Sequence, residues 1–315
     1  MRTTKSLIIV VSFLFLLSCR SLSPVDGRAE RLAVAASPET VSAQWQPFAE
    51  DTGLAADGGP LNSGLAYYAG RISRPRMEFN ALRIDLSRPG LRVFTAGGGL
   101  AAGLAGDLID EKFPSAKVST FVRNNNLVAG INALPFEPVS GREGEPRTNV
   151  GIVITDGVMV SPPYPPFDAL VFHSDGSVTI TAQSALQSAE YIDNAVGGFY
   201  RILEGNELVP WVVNATERHP RSAAGISPDG RYLYLLVIDG RRPGSIGGTE
   251  AETALVLRAL GAGEGINFDG GGSSALALRY GDGKVRVVNT PIHGRIPGRE
   301  RAVAGCLGIG IIEGD

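Results

Sequence analysis

The chain has 315 residues, of which 43% are hydrophobic and 19% are charged, and its net charge at pH 7 is −3. This composition is typical of a globular protein with one large core or two small ones. It lacks the basic surface that nucleic-acid binding requires, so we expect no nucleic-acid partner. The 41 glycines and 20 prolines indicate many turns and a β-rich fold.

The N-terminus has the pattern of an export signal. A cationic start, MRTTK, precedes the apolar run SLIIVVSFLFLLS, which ends at Cys19. The run is short for a membrane span and fits the core of a signal peptide. Its end, LLSC, resembles the bacterial lipoprotein signal, in which the cysteine is lipidated; a secretory signal cut slightly later is the alternative. We predict a signal peptide over 1–18, lipidation at Cys19 and a lipid-anchored protein of the bacterial cell envelope.

Two segments of different composition follow. Residues 19–60 are rich in Ser, Ala, Pro, Asp and Gly without periodicity, which predicts a flexible tether. Regular apolar patterns begin near Tyr67, so we place a single folded domain over 61–315. Cys306 lies in the apolar stretch AGCLGIGII and is predicted to be a buried strand residue, without a disulfide partner.

Most of the domain is predicted to form strands. NALRIDLS alternates with period two, LRVFTA continues after a Pro-Gly turn, and LVAGIN is a short apolar strand. Asp-Gly pairs between strand-like halves predict hairpins in VGIVITDGVMVS, ALVFHSDGSVTIT and GISPDGRYLYLLVID. GINFD and SALALRYGDGKVRVVN add a further strand and hairpin.

Two segments have helical spacing instead. SAKVSTFVRNNN predicts a helix with Ser115 as its N-cap and the Asn run as its stop. TEAETALVLRALG predicts a helix over about 250–260 that ends at Gly261. Because strands outnumber helices and short turns connect them, we expect an α+β fold, mainly antiparallel sheet with a few packed helices in a single domain.

The stretch GINFDGGGSSAL places a carboxylate, three glycines and two serines directly after an apolar strand. It has neither the lysine of a P-loop nor the G-x-S-x-G of an esterase. Consecutive glycine N–H groups can form a cradle for an anion such as phosphate. Ser273 and Ser274 would add hydroxyl donors and Asp269 a carboxylate; a plain loop is the alternative.

Three other segments carry candidate site residues. YLYLLVIDGRRPGS ends a strand at Asp239-Gly240-Arg241, and the helix that follows could return the chain so that Asp239 and Asp269 share one rim. Asp-Gly turn chemistry is the alternative. ERHPRSAAGI carries a basic cluster, which is otherwise a solvated face, and Asn132 of AGINALPF could bind a sugar hydroxyl or make an Asx turn.

Taken together, these segments resemble the phosphodiester glycosidase family. The blocks INALPF, HPRSAAGISPDGRYLYLLVIDGR, GGTEAETALVLRALG, GINFDGGGSSALAL, VVNTP and ERAVAGCLGI occur in that family's order and at roughly its spacing, from about residue 65 to the C-terminus. Three departures from the family pattern are Ala133-Leu134 in place of two glycines, Ser222 in place of Thr, and Phe268 in place of Leu. They bear on substrate shape more than on chemistry.

The resemblance implies a hydrolase that cleaves an alpha-linked sugar 1-phosphodiester, with N-acetylglucosamine as the prototype sugar. Asp269, Asp239 and Glu252 are the candidate catalytic acids, and the sequence does not rank them. The phosphate is assigned to Arg221 and Arg241, helped by the N–H groups of Gly270 to Gly272 and the hydroxyls of Ser273 and Ser274. The full candidate binding set is Asn132, His219, Arg221, Gly240, Arg241, Thr249, Gly270, Gly271, Gly272, Ser273, Ser274, Asn289 and Arg301.

Two functional alternatives remain at this point. The first is an enzyme that acts on a phosphate-linked glycan or cell-surface polymer. The second is a surface lipoprotein that binds a glycan phosphate without cleaving it. No cofactor is expected in either case, and the sequence leaves open whether a metal binds.

We expect Cys19→Ala to release the protein into the soluble fraction or to block its processing, because the lipid would have no attachment site. Membrane fractionation and gel migration of the mature protein measure this. A variant that partitions and migrates like wild type would show that no lipid anchor is attached at Cys19.

Overall fold

The computed structural model describes residues 46–47, 64–95, 112–139 and 142–312. The predicted signal peptide, Cys19 and most of the predicted tether lie outside the described residues, so these assignments stay predictions. Within the tether, Gln46–Pro47 pair with Ala66 and Tyr67 as a short edge strand. No helix in the described ranges is long and apolar enough to cross a membrane.

The described chain is predominantly β. Its two α-helices are α1 (Val118–Asn124) and α2 (Glu250–Leu260). The strands are β1 (Gln46–Pro47), β2 (Leu65–Ser73), β3 (Arg76–Asp85), β4 (Leu91–Phe94), β5 (Lys112–Pro114), β6 (Ala129–Asn132), β7 (Phe136–Glu137), β8 (Pro146–Asn149), β9 (Val153–Thr155), β10 (Val158–Ser161), β11 (Asp168–His173), β12 (Val178–Ala182), β13 (Ile192–Gly197), β14 (Arg201–Glu204), β15 (Glu207–Leu208), β16 (Arg221–Ile226), β17 (Tyr232–Ile238), β18 (Glu264–Asn267), β19 (Leu276–Arg279), β20 (Val285–Val287) and β21 (Cys306–Ile311).

These strands form four sheets, and neighbouring strands pair antiparallel. The largest has eight strands in the order β1-β2-β3-β17-β16-β18-β14-β15. Two five-stranded sheets have the orders β20-β19-β6-β21-β4 and β10-β9-β13-β11-β12, and β5-β8-β7 form a small fourth sheet. The prediction of mainly antiparallel sheet is therefore confirmed, with a smaller helical share than the α+β label suggests.

The eight-stranded sheet is buried on both faces, and β17 shows why its sequence is almost continuously apolar. Leu235 and Val237 point into the largest core cluster, which also contains residues of β6, β19 and β21. Their neighbours Leu236 and Ile238 point to the opposite face, where α2 packs through Leu257. Alternate residues thus serve two cores, as the period of a strand requires.

Most local predictions are confirmed. The hairpins β9–β10, β11–β12, β16–β17 and β19–β20 lie where the turn signals predicted them. Helix α2 ends at Gly261, whose φ of 109° is the left-handed C-cap conformation. Cys306 is a fully buried, free strand residue. The predicted N-cap of α1 is wrong: Lys117 holds that position, and the Ser115 hydroxyl donates to the carbonyls of Arg142 and Glu145.

Phe268 connects this core to the loop that follows β18. Its side chain is fully buried in the largest core cluster, and its N–H donates to the carbonyl of Ser222 at 2.8 Å. The buried ring of Phe268 therefore fixes the position of the Asp269 backbone relative to the core.

We expect Phe268→Ala to lower the free energy of unfolding by about 3–5 kcal/mol, because truncating a buried aromatic leaves a cavity. Denaturant titration measures this. For Phe268→Leu, which keeps most of the side-chain volume, we expect a loss smaller than about 1.5 kcal/mol. Equal losses for both variants would contradict a packing role.

Candidate active site

The sheet order brings the predicted residues to one edge. Strands β17 and β18 both pair antiparallel with β16, which lies between them. They therefore run in the same direction, and their C-terminal ends, followed by Asp239 and Asp269, lie at one edge beside Arg221 at the start of β16. The prediction that the two strand ends share a rim is confirmed.

The loop after β18 is held from below by Asn132, at the end of β6. Its Nδ2 donates to the Asp269 carbonyl at 2.6 Å. Its Oδ1 accepts from the Ser222 hydroxyl at 2.7 Å and from the Ala275 N–H at 3.1 Å. Since Asn132 is also buried, its amide positions the loop, and the predicted contact with a sugar hydroxyl does not fit this position.

The carboxylate of Asp239 is likewise held by hydrogen bonds within the protein. It accepts hydrogen bonds from the Thr290 N–H at 2.9 Å, from Asn289 Nδ2 at 3.1 Å and from Arg242 Nη2 at 2.8 Å. Asn289 Nδ2 also donates to the Ser274 carbonyl at 3.1 Å. Both side chains are buried, so they link the end of β17 to the loop at 289–290 rather than face a ligand.

Glu252 and Thr249 form the start of α2. The Thr249 hydroxyl accepts from the Glu252 N–H at 3.1 Å, and Glu252 Oε2 accepts from the Thr249 N–H at 3.0 Å, a reciprocal capping box. Arg218 forms a bidentate ion pair with the Glu252 carboxylate. The side chains of Thr249 and Glu252 thus stabilise the start of the helix. The T-x-x-E spacing in the sequence is the signal that would have identified this capping role.

The guanidinium of Arg221 is also bound by groups of the protein itself. Nη1 lies 2.5 Å from Glu250 Oε1, Nε donates to the Gly248 carbonyl at 2.9 Å, and Nη2 donates to the Glu217 carbonyl at 2.9 Å. Desolvation lowers the pKa of this buried guanidinium, and the charge of Glu250 acts in the opposite direction. A buried, neutralised arginine is a poor phosphate ligand, so the predicted phosphate contact does not fit Arg221.

Two other arginines approach the loop where glycine leaves room. A Cβ on Gly271 would lie 3.1 Å from Arg241 Nη2, and one on Gly272 would lie 2.6 Å from Arg301 Nη2. Gly271 also has a φ of +62°, a conformation that L side chains rarely adopt. The glycines therefore allow two guanidinium groups to lie directly on the loop.

The predicted cradle of free glycine N–H groups is wrong in one respect. The Gly271 N–H donates to the Pro220 carbonyl at 2.8 Å and is not available to an anion. Gly270 and Gly240 have a packing role, because a Cβ on either would lie within 2.7 Å of the Pro220 backbone.

The two serines of the loop also differ from expectation. Ser273 and Ser274 are buried. The Ser274 hydroxyl has no hydrogen-bond partner among the described residues, whereas the Ser273 hydroxyl accepts from Arg301 Nη1 at 3.1 Å. Ser273 therefore connects the arginine to the loop, and neither hydroxyl is placed as the predicted phosphate donor.

Two histidines orient the arginines. Arg241 Nη2 lies 3.3 Å from His219 Nδ1, and His219 Nε2 lies 3.1 Å from a carboxylate oxygen of Glu217. Arg301 Nε donates to His293 Nδ1 at 3.1 Å. Burial, followed by the charges of Arg301 and Arg299, lowers the pKa of His293. A neutral His293 is the form that can accept this bond.

His293 was not singled out in the sequence. Its segment, PIHGRIPGRE, has no recognisable spacing, and it reaches the site only because the chain folds back through the bridge between Ile292 and Arg299. It also borders a cavity of about 380 Å³ that is lined by Lys117, Arg142, Glu143, Gly298, Arg299, Glu300 and Ala302.

Asp269 differs from the other two predicted acids. Among the described residues, no lysine, arginine or histidine nitrogen lies within ion-pair distance of its carboxylate, and the residue as a whole is partly exposed. Burial raises its pKa to about 6, and the Ser273 hydroxyl, the charge of Arg301 and the Gly270 N–H oppose that shift. The result is a carboxylate that ionises near neutral pH, which suits proton transfer or nucleophilic attack.

A carboxylate with two guanidinium groups on its loop is an arrangement for an anionic substrate. Arg241 and Arg301 form no ion pair with any carboxylate of the described residues, although Arg301 feels the charge of Asp269. No group of three or more His, Cys, Asp or Glu side chains in the described ranges is arranged to hold a metal ion.

Comparison with known proteins places the chain in a family. The model of the phosphodiester glycosidase family matches residues 125–310, more than half of the chain, so the protein belongs to the phosphodiester glycosidase family. That family acts on phosphate-linked carbohydrates. The match includes Asn132, Asp239 and the whole loop after β18. No curated protein gives a significant match.

Solved structures share the fold at low identity. The catalytic domain of zebrafish N-acetylglucosamine-1-phosphodiester alpha-N-acetylglucosaminidase, auto-inhibited by its pro-peptide, has a TM-score of 0.58 and 17% identity, with 83% of this chain and 87% of that one covered. A Synechocystis protein has a TM-score of 0.54 and 16% identity over 82% of this chain, which spans only 65% of that protein. A Burkholderia pseudomallei protein has a TM-score of 0.51 and 18% identity, with 75% and 74% covered.

We expect Glu252→Ala to lower the free energy of unfolding by about 1–3 kcal/mol, because it removes half of the capping box and the partner of Arg218. Denaturant titration measures the loss, with the exposed Glu207→Ala as a control that should stay within about 0.5 kcal/mol of wild type. Glu252→Gln can keep the capping contact. If it folds normally but loses turnover by orders of magnitude, the role of Glu252 is chemical instead.

Proposed function

We propose that this protein hydrolyses the bond between the anomeric carbon of a sugar and a phosphodiester carried by a glycan. The observation that carries the proposal is the carboxylate of Asp269, which forms no ion pair among the described residues, on a loop that Arg241 and Arg301 contact. Membership of the phosphodiester glycosidase family supports the class of bond. We propose an alpha-linked N-acetylglucosamine 1-phosphodiester as the substrate type, the bond named for the zebrafish relative.

The phosphodiester is assigned to Arg241 and Arg301. Cleavage at the anomeric carbon leaves a phosphate monoester, so negative charge grows on the phosphate as the bond breaks. Two fixed guanidinium groups stabilise that developing charge more than they stabilise the bound diester. The hydrogen bonds from Arg241 to His219 and from Arg301 to His293 and Ser273 hold both groups in place.

Asp269 is assigned the reacting carboxylate. It either removes a proton from the attacking water or attacks the sugar carbon itself, and both routes need the ionised form. A phosphate leaving group is already a stabilised anion, so a strong acid on that side is dispensable. This fits a site in which Asp239 and Glu252 are committed to hydrogen bonds within the protein.

A lipid-anchored position in the cell envelope remains part of the proposal, because surface glycans would be in reach of a protein tethered through residues 19–60. The second candidate function is a lipoprotein that binds a glycan phosphate without cleaving it. The observation that favours it is that two of the three predicted acids have no free carboxylate oxygen for chemistry.

We expect Asp269→Asn to lower turnover of an activated N-acetylglucosamine 1-phosphodiester by about 10²–10⁴-fold, because the amide can neither accept a proton nor attack carbon. Wild-type turnover should rise with pH, with a midpoint near the Asp269 pKa of about 6. Release of reducing sugar measures both. The exposed turn variant Asp175→Asn is the control and should behave like wild type. A protein that binds this diester but releases no sugar at any pH would establish the binding function instead.

The same variant separates chemistry from folding. A raised carboxylate pKa means that the Asp269 contribution to folding stability is present below the unfolded value of 3.8 and is lost as the pH rises through about 6. At pH 7 the ionised carboxylate of Asp269 therefore lowers the free energy of unfolding, and the neutral amide of Asn does not. Thermal unfolding at pH 7 should place Asp269→Asn at or above wild type, and a clear decrease would mean that the lost turnover reflects misfolding.

A further inference from the structure

Five aromatic rings are in contact at the surface: Tyr164, Phe167, Tyr200 and Trp211 follow one another, and Phe199 packs beside Phe167 and Tyr200. Ring centroids lie 4.7 Å apart for Tyr164 and Phe167, 5.1 Å for Phe167 and Phe199, 5.2 Å for Phe167 and Tyr200, and 5.2 Å for Tyr200 and Trp211. Aromatic clusters of this size normally lie inside a core. Here Tyr164, Tyr200 and Trp211 are 43%, 39% and 42% exposed. We refer to these five side chains as the aromatic row.

The aromatic row begins beside the proposed active site. The Phe199 N–H donates to the Asn267 carbonyl at 2.8 Å, and the Asn267 N–H donates to the Tyr200 carbonyl at 2.9 Å. Asn267 is the last residue of β18, two positions before Asp269. Trp211 lies in the short helical turn Pro210–Asn214, from which the chain leads directly to His219 and β16. The row therefore starts at the edge of the sheet that carries Asp269.

Folding alone does not explain this exposure. The rings pack on one another in tilted and edge-on geometry, yet three of the five remain accessible to solvent. An exposed apolar patch next to a proposed active site is typical of a ligand-binding groove. Tyr and Trp supply rigid contact area at a low entropy cost and carry a polar O–H or N–H at one end.

These properties match the chemistry of a sugar ring. A pyranose has one face of C–H groups, which packs on an aromatic face, and a rim of hydroxyls, which hydrogen-bond to O–H and N–H groups. We propose that the aromatic row binds successive sugar rings of a glycan whose phosphodiester lies at Asp269, so that the substrate is an oligosaccharide or polymer rather than a single sugar ester. This inference rests on the proposed function and specifies its substrate class.

The test compares two substrates in the full mature chain. One is an activated phosphodiester with a single N-acetylglucosamine, and the other carries an N-acetylglucosamine oligosaccharide. We expect Trp211→Ala and Tyr200→Ala to lower kcat/KM for the oligosaccharide substrate by about tenfold, mainly through KM, and to leave the single-sugar substrate within about twofold. Trp211→Phe should recover most of the loss. Tyr191→Ala is the matched control, because Tyr191 is 75% exposed and directly precedes β13, at the end of that strand away from Phe199.

Binding is measured independently of turnover. The chain has two tryptophans, so Trp45→Phe leaves Trp211 as the only fluorophore of that type. A neutral N-acetylglucosamine hexamer should change the Trp211 emission of the Asp269→Asn variant, and Tyr200→Ala should weaken that response. This outcome would stand even if no phosphodiester were cleaved, so failure of the proposed function and failure of the aromatic row are distinguishable.

Three results would overturn the proposal. Equal losses on both substrates would show that Trp211 supports the fold of the site rather than a glycan. Unchanged kcat/KM values for both substrates, together with no fluorescence response to the hexamer, would show that sugar rings do not contact the row. A concentration-dependent dimer of the wild type that Trp211→Ala abolishes would show that a second copy of the chain covers the row.

Discussion

The hydrogen bonds of the Asn132 side chain are the constraint on which the candidate site depends. One amide group joins three segments: the end of β6, Ser222 on β16, and the loop from Asp269 to Ala275. These segments belong to two different sheets, so their meeting point is not set by strand pairing alone. Because the amide is buried and satisfied at both ends, the loop has one position relative to the sheet edge. The carboxylate of Asp269 and the contacts of the arginines follow from that position.

The residues around the loop divide by what they do with their charge. Asp239, Glu252 and Arg221 are neutralised by partners within the protein and hold strand ends and a helix start together. Asp269, Arg241 and Arg301, by contrast, form no ion pair with any other described residue, so their charges are available to a ligand. A buried ion pair contributes rigidity at a cost in desolvation, whereas an uncompensated group is expensive for the fold and useful for a reaction. The candidate reactive groups thus lie on a support of side chains whose hydrogen bonds are satisfied within the protein.

The sequence predicted the elements well and the roles less well. Hairpins, α2 and the shared rim of β17 and β18 follow from turn residues and apolar periodicity, which are local or nearly local signals. The partner of a charged side chain is not local: Glu250 neutralises Arg221 across 29 residues, and His293 supports Arg301 through a fold-back without a motif. A family pattern marks both kinds of residue equally, because a support and a reactive group are each required. Only the three-dimensional contacts separate Asp269 from Asp239.

The glycines of the loop have a consequence for how this site can change. A methyl group on Gly272 would lie only 2.6 Å from Arg301 Nη2, and one on Gly271 would lie 3.1 Å from Arg241 Nη2. The close approach of each guanidinium to the loop therefore depends on the absence of a Cβ, and an alanine at either glycine would displace an arginine side chain. The contact of either arginine with the loop can therefore be lost without any change to the arginine itself.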